Sequence, residues 1–110
     1  LLSYWVRGQE AFTLEEAVRM LTFDNASAWE LRGRGLIRAG YAADLVVFDA
    51  DTIKPRMPTV EQDLPGGAKR LVQKADGIAA TIVNGRLAFE NGDSTGDFAG
   101  QVLKGPLASL

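Results

Sequence analysis

The sequence predicts an α+β fold, in which short N-terminal helices are followed by a mostly antiparallel β-sheet. Three observations support this class. Apolar residues recur at helical spacing in the first third of the chain, LVVF at 45–48 has the composition of a buried strand, and IAATIVNGRLAFE at 78–90 has the pattern of a β-hairpin. With 110 residues, the chain has the length of one domain or of part of one.

The first predicted helix begins at Thr13. Its hydroxyl can accept a hydrogen bond from the amide of Glu16, and the Glu16 carboxylate can accept one from the amide of Thr13, which makes a capping box. One apolar stripe follows at positions i, i+3, i+4 and i+7: Leu14, Ala17, Val18 and Leu21. The helix is therefore expected to end near Thr22.

A second short helix is predicted to start at a cap on Asp24 or Asn25 and to run through Leu31. The glycines at 33 and 35 would stop it.

Beyond Gly35, the strand at 45–48 is apolar on both faces, which predicts a strand covered on both sides. Residues 52–77 contain three prolines and several glycines and are interpreted mainly as a long excursion, with one helical turn or a short strand within 69–74.

Asn84-Gly85 is a preferred pair for a two-residue type I′ turn, because both residues need positive φ. Counting outward, the predicted cross-strand pairs are Val83 with Arg86, Ile82 with Leu87, and Ala80 with Phe89. One face of the hairpin would then carry Ile78, Ala80, Ile82, Leu87 and Phe89. Asn91-Gly92 should end the second strand, and residues 101–104 are expected to add a short edge strand.

Composition excludes several functions. The net charge of -2 leaves no basic excess for nucleic acid, and no apolar run approaches the roughly 20 residues that span a bilayer. Neither a nucleic acid nor a membrane is therefore an expected partner, and the cytoplasm is the expected location. The chain has no cysteine and no histidine, so it lacks thiol chemistry and both the commonest metal ligand and the commonest neutral-pH base.

Few residues remain as candidates for chemistry. Glu15 and Glu16 point about 100° apart on a helix, while Asp49 and Asp51 could face the same way but have no supporting cation ligands. These acids are interpreted as a cap and a solvated turn. The four serines have no imidazole to activate them: Ser3, Ser27, Ser94 and Ser109.

Two clusters could bind something. The basic residues Lys69, Arg70 and Lys74 could hold an anionic ligand or the acidic rim of a neighbouring domain, although a solvated face is the favoured interpretation. Aromatic residues 4, 5 and 29 could stack on a ligand, although an interface or core role is favoured because no polar group is arranged to orient a ligand. No nucleophile, base and electrophilic stabiliser assemble, so we predict no catalytic, cofactor-binding or metal-ligating residue in this chain.

Three stretches nevertheless resemble a known family. GLIRAGYAADLVVFD at 35–49 resembles the G-x-[LI]-x-x-G-x-x-ADLVV-x-D signature near the C-terminus of amidohydrolase-superfamily enzymes. TIVNGRLAFENG at 81–92 is similar to the hairpin that follows this signature, and FTLEEAVRMLT at 12–22 to the helix before it.

Two further stretches, DLPGGAKRL at 63–71 and TGDFAGQVLKG at 95–105, are similar to the branch of N-acyl-D-amino-acid deacylases, or D-aminoacylases. Ala26 and Ala99 stand where prolines are common in that branch, and neither change bears on chemistry.

The resemblance implies a parent enzyme in which a zinc-bearing (β/α)8 barrel hydrolyses amide bonds, beside a small β-sandwich assembled from both chain ends. Residues 1–34 would correspond to the end of the barrel and residues 35–110 to the C-terminal part of the composite sandwich. The family's metal ligands and catalytic aspartate would all precede Leu1, so none transfers to this sequence. The beginning at Leu1 in an apolar run is expected to be a fragment boundary.

In such a parent, strands from the N-terminal end would complete the sheet. Without them, we expect apolar faces and strand edges to be open and the isolated chain to self-associate. The stretch DLPGGAKR at 63–70, within the 52–77 excursion, is the one portion that could reach toward the parent's active site. The alternative is a free-standing, non-catalytic β-rich module for interaction or dimerisation.

Overall fold

The computed structural model describes residues 1–104, in which helical segments precede antiparallel β-sheets. A π-helical turn spans Leu2–Gly8, helix α1 spans Leu14–Leu21 and helix α2 spans Phe23–Ala28. The strands are β1 (Leu45–Phe48), β2 (Lys54–Pro55), β3 (Thr59–Glu61), β4 (Arg70–Val72), β5 (Ala75–Asp76), β6 (Ile78–Val83), β7 (Arg86–Glu90) and β8 (Asp93–Ser94). This order of elements confirms the predicted α+β class.

The first helix forms as predicted. The Thr13 hydroxyl accepts from the Glu16 amide at 3.1 Å, and the Glu16 carboxylate accepts from the Thr13 amide at 2.8 Å. These two bonds complete the capping box and satisfy two amide groups that the start of a helix leaves without partners. The stripe directs Ala17 inward, where it is fully buried.

The second helix starts earlier and ends earlier than predicted. Thr22 both ends α1 and begins α2, so Asp24 and Asn25 lie inside the helix and neither caps it. Instead, the Asn25 side-chain amide donates to the Leu21 carbonyl at 3.3 Å. The helix ends before Trp29, because the backbone at Glu30 turns to a φ of 54° and leaves the helical region.

The main sheet has the strand order β1-β6-β7-β8, and all of its pairs are antiparallel. The Asn84-Gly85 turn and the pairs Val83 with Arg86 and Ile82 with Leu87 are confirmed. The predicted pair of Ala80 with Phe89 is wrong: the register shifts after Ile82, so that Phe89 lies opposite Thr81. A β-bulge of this kind inserts one extra residue into one strand. Counting outward from the turn assumes an unbroken register, so it cannot predict the bulge.

Two further expectations about the sheet are wrong. The strand at 45–48 is not covered on both faces: β1 is an edge strand, and Val46 and Val47 are 50% and 51% exposed. Residues 101–104 form no strand, because the chain turns back at Asn91-Gly92 and pairs Glu90 with Asp93 to make β8 the edge.

The 52–77 excursion is a projecting β-arm, which we define as residues 54–76. Strands β2 and β5 pair at its base, and strands β3 and β4 pair farther out. Both pairs are antiparallel, so the arm consists of two successive two-stranded ribbons. The Asp49 amide donates to the Gly77 carbonyl at 2.8 Å and closes the base. The short strand allowed within 69–74 is therefore present as β4.

Candidate functional site

Two of the four candidate carboxylates, those of Glu16 and Asp49, accept hydrogen bonds from nearby backbone amides. Glu16 caps α1, as described, and Glu15 lies beside it in the first turn. The Asp49 carboxylate accepts from the Asp51 amide at 2.8 Å, which fixes the turn that follows β1. Within residues 1–104, neither pair belongs to a group of three or more potential metal ligands.

The basic cluster does not form a single anion site. Arg70 donates twice to Asp63, with both distances 2.6 Å, so that its guanidinium is already matched by a carboxylate on the same arm. This pairing lowers the pKa of the Asp63 carboxyl, chiefly through the hydrogen bond, and raises the pKa of Arg70 for the same reason. Arg70, for which the sequence favoured a solvated position and allowed an anion site, therefore forms an ion pair within the arm.

The aromatic residues are exposed rather than gathered into a pocket. The rings of Tyr4 and Trp5 meet edge to face, with centroids 4.8 Å apart. Trp29 is 76% exposed and, among residues 1–104, makes no ring contact with either of them. These side chains therefore form no core within residues 1–104, and their role at an interface stays a prediction.

The serines have no imidazole to activate them, because the sequence contains no histidine. The Ser94 hydroxyl accepts from the Gly96 amide at 3.2 Å in the turn after β8, while Ser3 lies in the N-terminal π-helical turn and Ser27 in α2. Ser109 lies outside the described residues.

The described part of the chain does not suit a metal ion. No three acidic side chains within residues 1–104 are grouped so that they could hold one. With no histidine or cysteine in the sequence, the donor set also lacks the nitrogen and sulfur ligands that zinc prefers. We therefore derive no metal-dependent step from these residues.

An open concavity of about 270 Å³ lies between the base of the arm and the main sheet. Ile78, Ala80 and Phe89 contribute apolar lining, and Arg56 lies at its rim beside Asp76, with which it pairs at 2.5 Å. This lining brings together no nucleophile, base and electrophilic stabiliser, so we place no reaction in the concavity.

Two structural ion pairs could not be found from sequence. Asp44 pairs with Arg34 and also accepts from the Asn84 amide at 2.9 Å, so one side chain ties the segment before β1 to the hairpin turn. Arg56 and Asp76 close the base of the arm. The residues lie 10 to 40 positions apart in sequence, and only the strand register brings them together.

The most distinctive feature of the chain is its uncovered apolar surface. Within residues 1–104, only Ala17 and Ala26 are buried apolar residues. The accessible surface is 8619 Å², against roughly 5,900 Å² for a compact monomer of this size. The radius of gyration is 16.2 Å, against roughly 13 Å for a compact domain.

The uncovered side chains are spread over every part of the fold. They include Tyr4, Trp5, Phe12, Trp29, Ile37, Val46, Val47, Met57, Val60, Leu71, Phe89 and Phe98. Apolar exposure on this scale is typical of a surface that a partner covers.

A family model described as "Amidohydrolase family" matches residues 2–89. This chain belongs to the amidohydrolase family. The match covers both helices, the arm and most of the main sheet, so it confirms the resemblance stated from the sequence.

Three curated proteins of Alcaligenes xylosoxydans xylosoxydans are similar to this amidohydrolase-family chain. A D-aminoacylase is 37% identical over 107 residues, which are 94% of this chain and 19% of the relative. An N-acyl-D-aspartate deacylase is 35% identical over 103 residues, which are 94% of this chain and 19% of the relative. An N-acyl-D-glutamate deacylase is 38% identical over 89 residues, which are 81% of this chain and 16% of the relative.

The chain thus spans about a fifth of the length of the curated relatives that it matches. No solved structure matches it. Within residues 1–104, no helix combines the length and apolar character that crossing a bilayer requires.

Proposed function

We propose that this chain is the C-terminal structural portion of a metal-dependent amidohydrolase that hydrolyses amide C–N bonds, and that the whole enzyme is an N-acyl-D-amino-acid deacylase. Three similar relatives carry names of this activity, and the chain matches a fifth or less of each of them. The role of the chain in that enzyme is architectural.

The observation that carries this proposal is the uncovered apolar surface. An independently folded domain removes its large apolar side chains from water, because each fully buried one stabilises the fold by roughly 1.5–3 kcal/mol. Here Val46, Val47 and Trp5 stay about half exposed, and the outer edge of β1 has no partner strand among residues 1–104. A larger protein that covers these groups would recover the missing stabilisation.

The division of the chain follows from this role. Residues 1–34, which contain the helices, correspond to the end of a (β/α)8 barrel. Residues 35–110 correspond to the C-terminal share of a β-sandwich whose remaining strands come from the N-terminal end of the parent. Those strands would pair with the open edge of β1 and cover the exposed face of the main sheet.

Zinc and the hydrolytic residues belong, in this proposal, to the barrel that precedes Leu1. The described residues do not suit a metal, and the chain itself is expected to be inactive. The cytoplasmic location expected from the sequence stays a prediction.

The deciding experiment is to read the coding sequence immediately upstream of the codon for Leu1. A barrel that carries a His-x-His metal motif supports the proposal, whereas a start codon or an unrelated domain contradicts it. Metal analysis and an assay on N-acetyl-D-amino acids should detect neither stoichiometric metal nor turnover in the isolated chain. Either one would overturn the architectural role.

The open edges of the main sheet also favour a second candidate, a free-standing β-rich module that self-associates. In both cases, the isolated chain is expected to form oligomers, either by exchanging strands or by burying the apolar run at 1–6 against a second copy. Light scattering that shows a monodisperse monomer at high concentration would contradict this expectation.

A further inference from the structure

The main sheet contains two Asn-Gly turns that are held in different ways. Asn84-Gly85 joins β6 to β7, and Asn91-Gly92 joins β7 to β8. Both asparagines have a φ of 50°, so their backbone conformations do not separate them. Any difference in their chemical behaviour must come from what surrounds each turn.

The first turn is clamped by three hydrogen bonds from outside the hairpin. The Asn84 amide donates to Asp44 at 2.9 Å, its side-chain amide donates to the Ala99 carbonyl at 2.7 Å, and the Gly85 amide donates to the Ala43 carbonyl at 2.9 Å. Asn84 is also half-buried. Its side-chain amide group and the next backbone nitrogen are therefore both engaged.

The second turn has none of this bracing. The Asn91 amide donates to the Ala79 carbonyl at 2.9 Å, but among the hydrogen bonds of residues 1–104 none involves its side chain or the Gly92 amide. Asn91 and Gly92 are exposed, and the strand that follows is the two-residue edge strand β8. Such edges open at low free-energy cost.

We propose that Asn91 is a site of spontaneous deamidation and that Asn84, with the same Asn-Gly sequence, is protected by the fold. Hydroxide removes the proton of the Gly92 amide, and that nitrogen attacks the side-chain carbonyl carbon Cγ of Asn91. The N–Cγ bond forms, the Cγ–Nδ2 bond breaks, and the departing nitrogen takes a proton from water and leaves as ammonia. A second water then opens the cyclic imide to an aspartyl or an isoaspartyl residue.

Glycine makes this attack easy, because it has no side chain to obstruct the approach of its nitrogen. At the first turn, the same step requires the Gly85 amide to give up its bond to Ala43 and the leaving amide to give up its bond to Ala99. Each hydrogen bond lost without replacement raises the free energy of the reactive conformation. Asn84 is therefore expected to react only when its turn opens locally.

Deamidation at Asn91 changes the sheet edge in two ways. It adds a negative charge between Glu90 and Asp93, which face each other as a cross-strand pair. The isoaspartyl product also adds one carbon atom to the main chain of the two-residue turn. The longer turn no longer matches the spacing at which β7 and β8 pair. The edge of the main sheet is expected to loosen as the protein ages.

The test follows both asparagines in one sample of the full chain, incubated in mildly alkaline buffer with and without a denaturing concentration of guanidinium. Trypsin cleaves after Arg86 and places the two sites on different peptides, 75–86 and 87–104, whose deamidated fractions mass spectrometry resolves. In native buffer, Asn91 should deamidate roughly tenfold or more faster than Asn84, and in guanidinium the two rates should agree within about twofold, because the protection is structural.

Three results would overturn the proposal: equal native rates, a native rate at Asn91 far below its denatured rate, or a denatured ratio as large as the native one. The variant Asp44→Ala removes one clamp of the first turn. It should accelerate deamidation of Asn84 and leave that of Asn91 unchanged, and an unchanged rate at Asn84 would contradict protection by this clamp.

Discussion

The main sheet and the β-arm are both antiparallel, but they are held together differently. In the main sheet, β6 lies between β1 and β7, so its backbone is paired on both sides over most of its length. In the arm, each strand has one partner and one free edge, and two-stranded ribbons are marginal in water. The arm adds ion pairs at its base and at its tip instead.

This difference lies in the kind of interaction that holds each region, which is strand pairing on both sides of β6 in the main sheet and ion pairs beside a single strand pairing in the arm. Exposed ion pairs stabilise little, so the pairs Arg56–Asp76 and Arg70–Asp63 fix the direction of the arm more than they stabilise it. Met57 and Leu71 on the arm are 85% and 73% exposed, as expected for side chains that a neighbouring surface would cover. Both regions therefore expose apolar side chains, and the arm projects from the main sheet on two short two-stranded ribbons.

The largest effect is expected where the two regions join. A Cβ on Gly77 would lie 2.6 Å from backbone atoms of Ile53, and Gly77 has a φ of 86°. Gly77→Ala should therefore lower the free energy of unfolding by about 2–5 kcal/mol, through strain at positive φ and forced movement of the backbone. Urea denaturation at one fixed protein concentration measures this change.

Gly92→Ala is the matched control for that variant. Its φ is also 86°, but no atom lies within 4 Å of the added Cβ. Gly92→Ala should lower the free energy of unfolding by only about 1–2 kcal/mol, which is the strain of an alanine at positive φ. If the two variants are equally destabilised, the close approach of Gly77 to Ile53 at the base of the arm does not contribute.

A smaller effect is expected in the main sheet at Asp44. Asp44→Ala removes the pair with Arg34 and the acceptor for the Asn84 amide, and should lower the free energy of unfolding by about 1–2 kcal/mol. Hydrogen exchange should accelerate at the Asn84 amide and stay unchanged in the arm. Asp44→Asn, which keeps an acceptor oxygen, should fall between the variant and the wild type, and exchange that accelerates equally in both regions would contradict their independence.

The smallest effect is expected at the tip of the arm. The pKa of Asp63 is lowered in the folded state by its hydrogen bond from Arg70. The stabilisation is therefore complete above the ordinary value of 3.8, and it is lost as the pH falls through the lowered folded-state pKa. An NMR titration should give a midpoint below 3.8 for the wild type.

In Arg70→Ala, the Asp63 midpoint should return to the ordinary range, with no measurable change in the main sheet. A midpoint that does not move would mean that Arg70 is not paired with Asp63 in solution.

Elements governed by neighbours in sequence could be predicted. The capping box at Thr13 and the Asn84-Gly85 turn depend on residues three positions apart or closer, and both are present. Elements governed by distant partners could not be predicted. The bulge that moves Phe89 opposite Thr81 and the ribbon that pairs Lys54 with Asp76 depend on how strands meet in space.

The candidate site shows the same division. Sequence reasoning correctly assigned Glu16 to the cap of the first helix and Asp49 to the turn after the strand, because local backbone amides were available to both carboxylates. It did not predict that Arg70 pairs with Asp63, since nothing in the local pattern indicated that the arm would place the two side chains together.

By itself, the sequence determined the helix start, the hairpin turn, the amidohydrolase family and the lack of imidazole and thiol, because each of these is set by residue identity and short-range spacing. Only the tertiary structure decided that β1 is an edge strand, that 54–76 is a paired arm and that the apolar surface stays uncovered. Those properties depend on which strands are available to pair and on which surfaces are available to exclude water, and neither is encoded in local spacing.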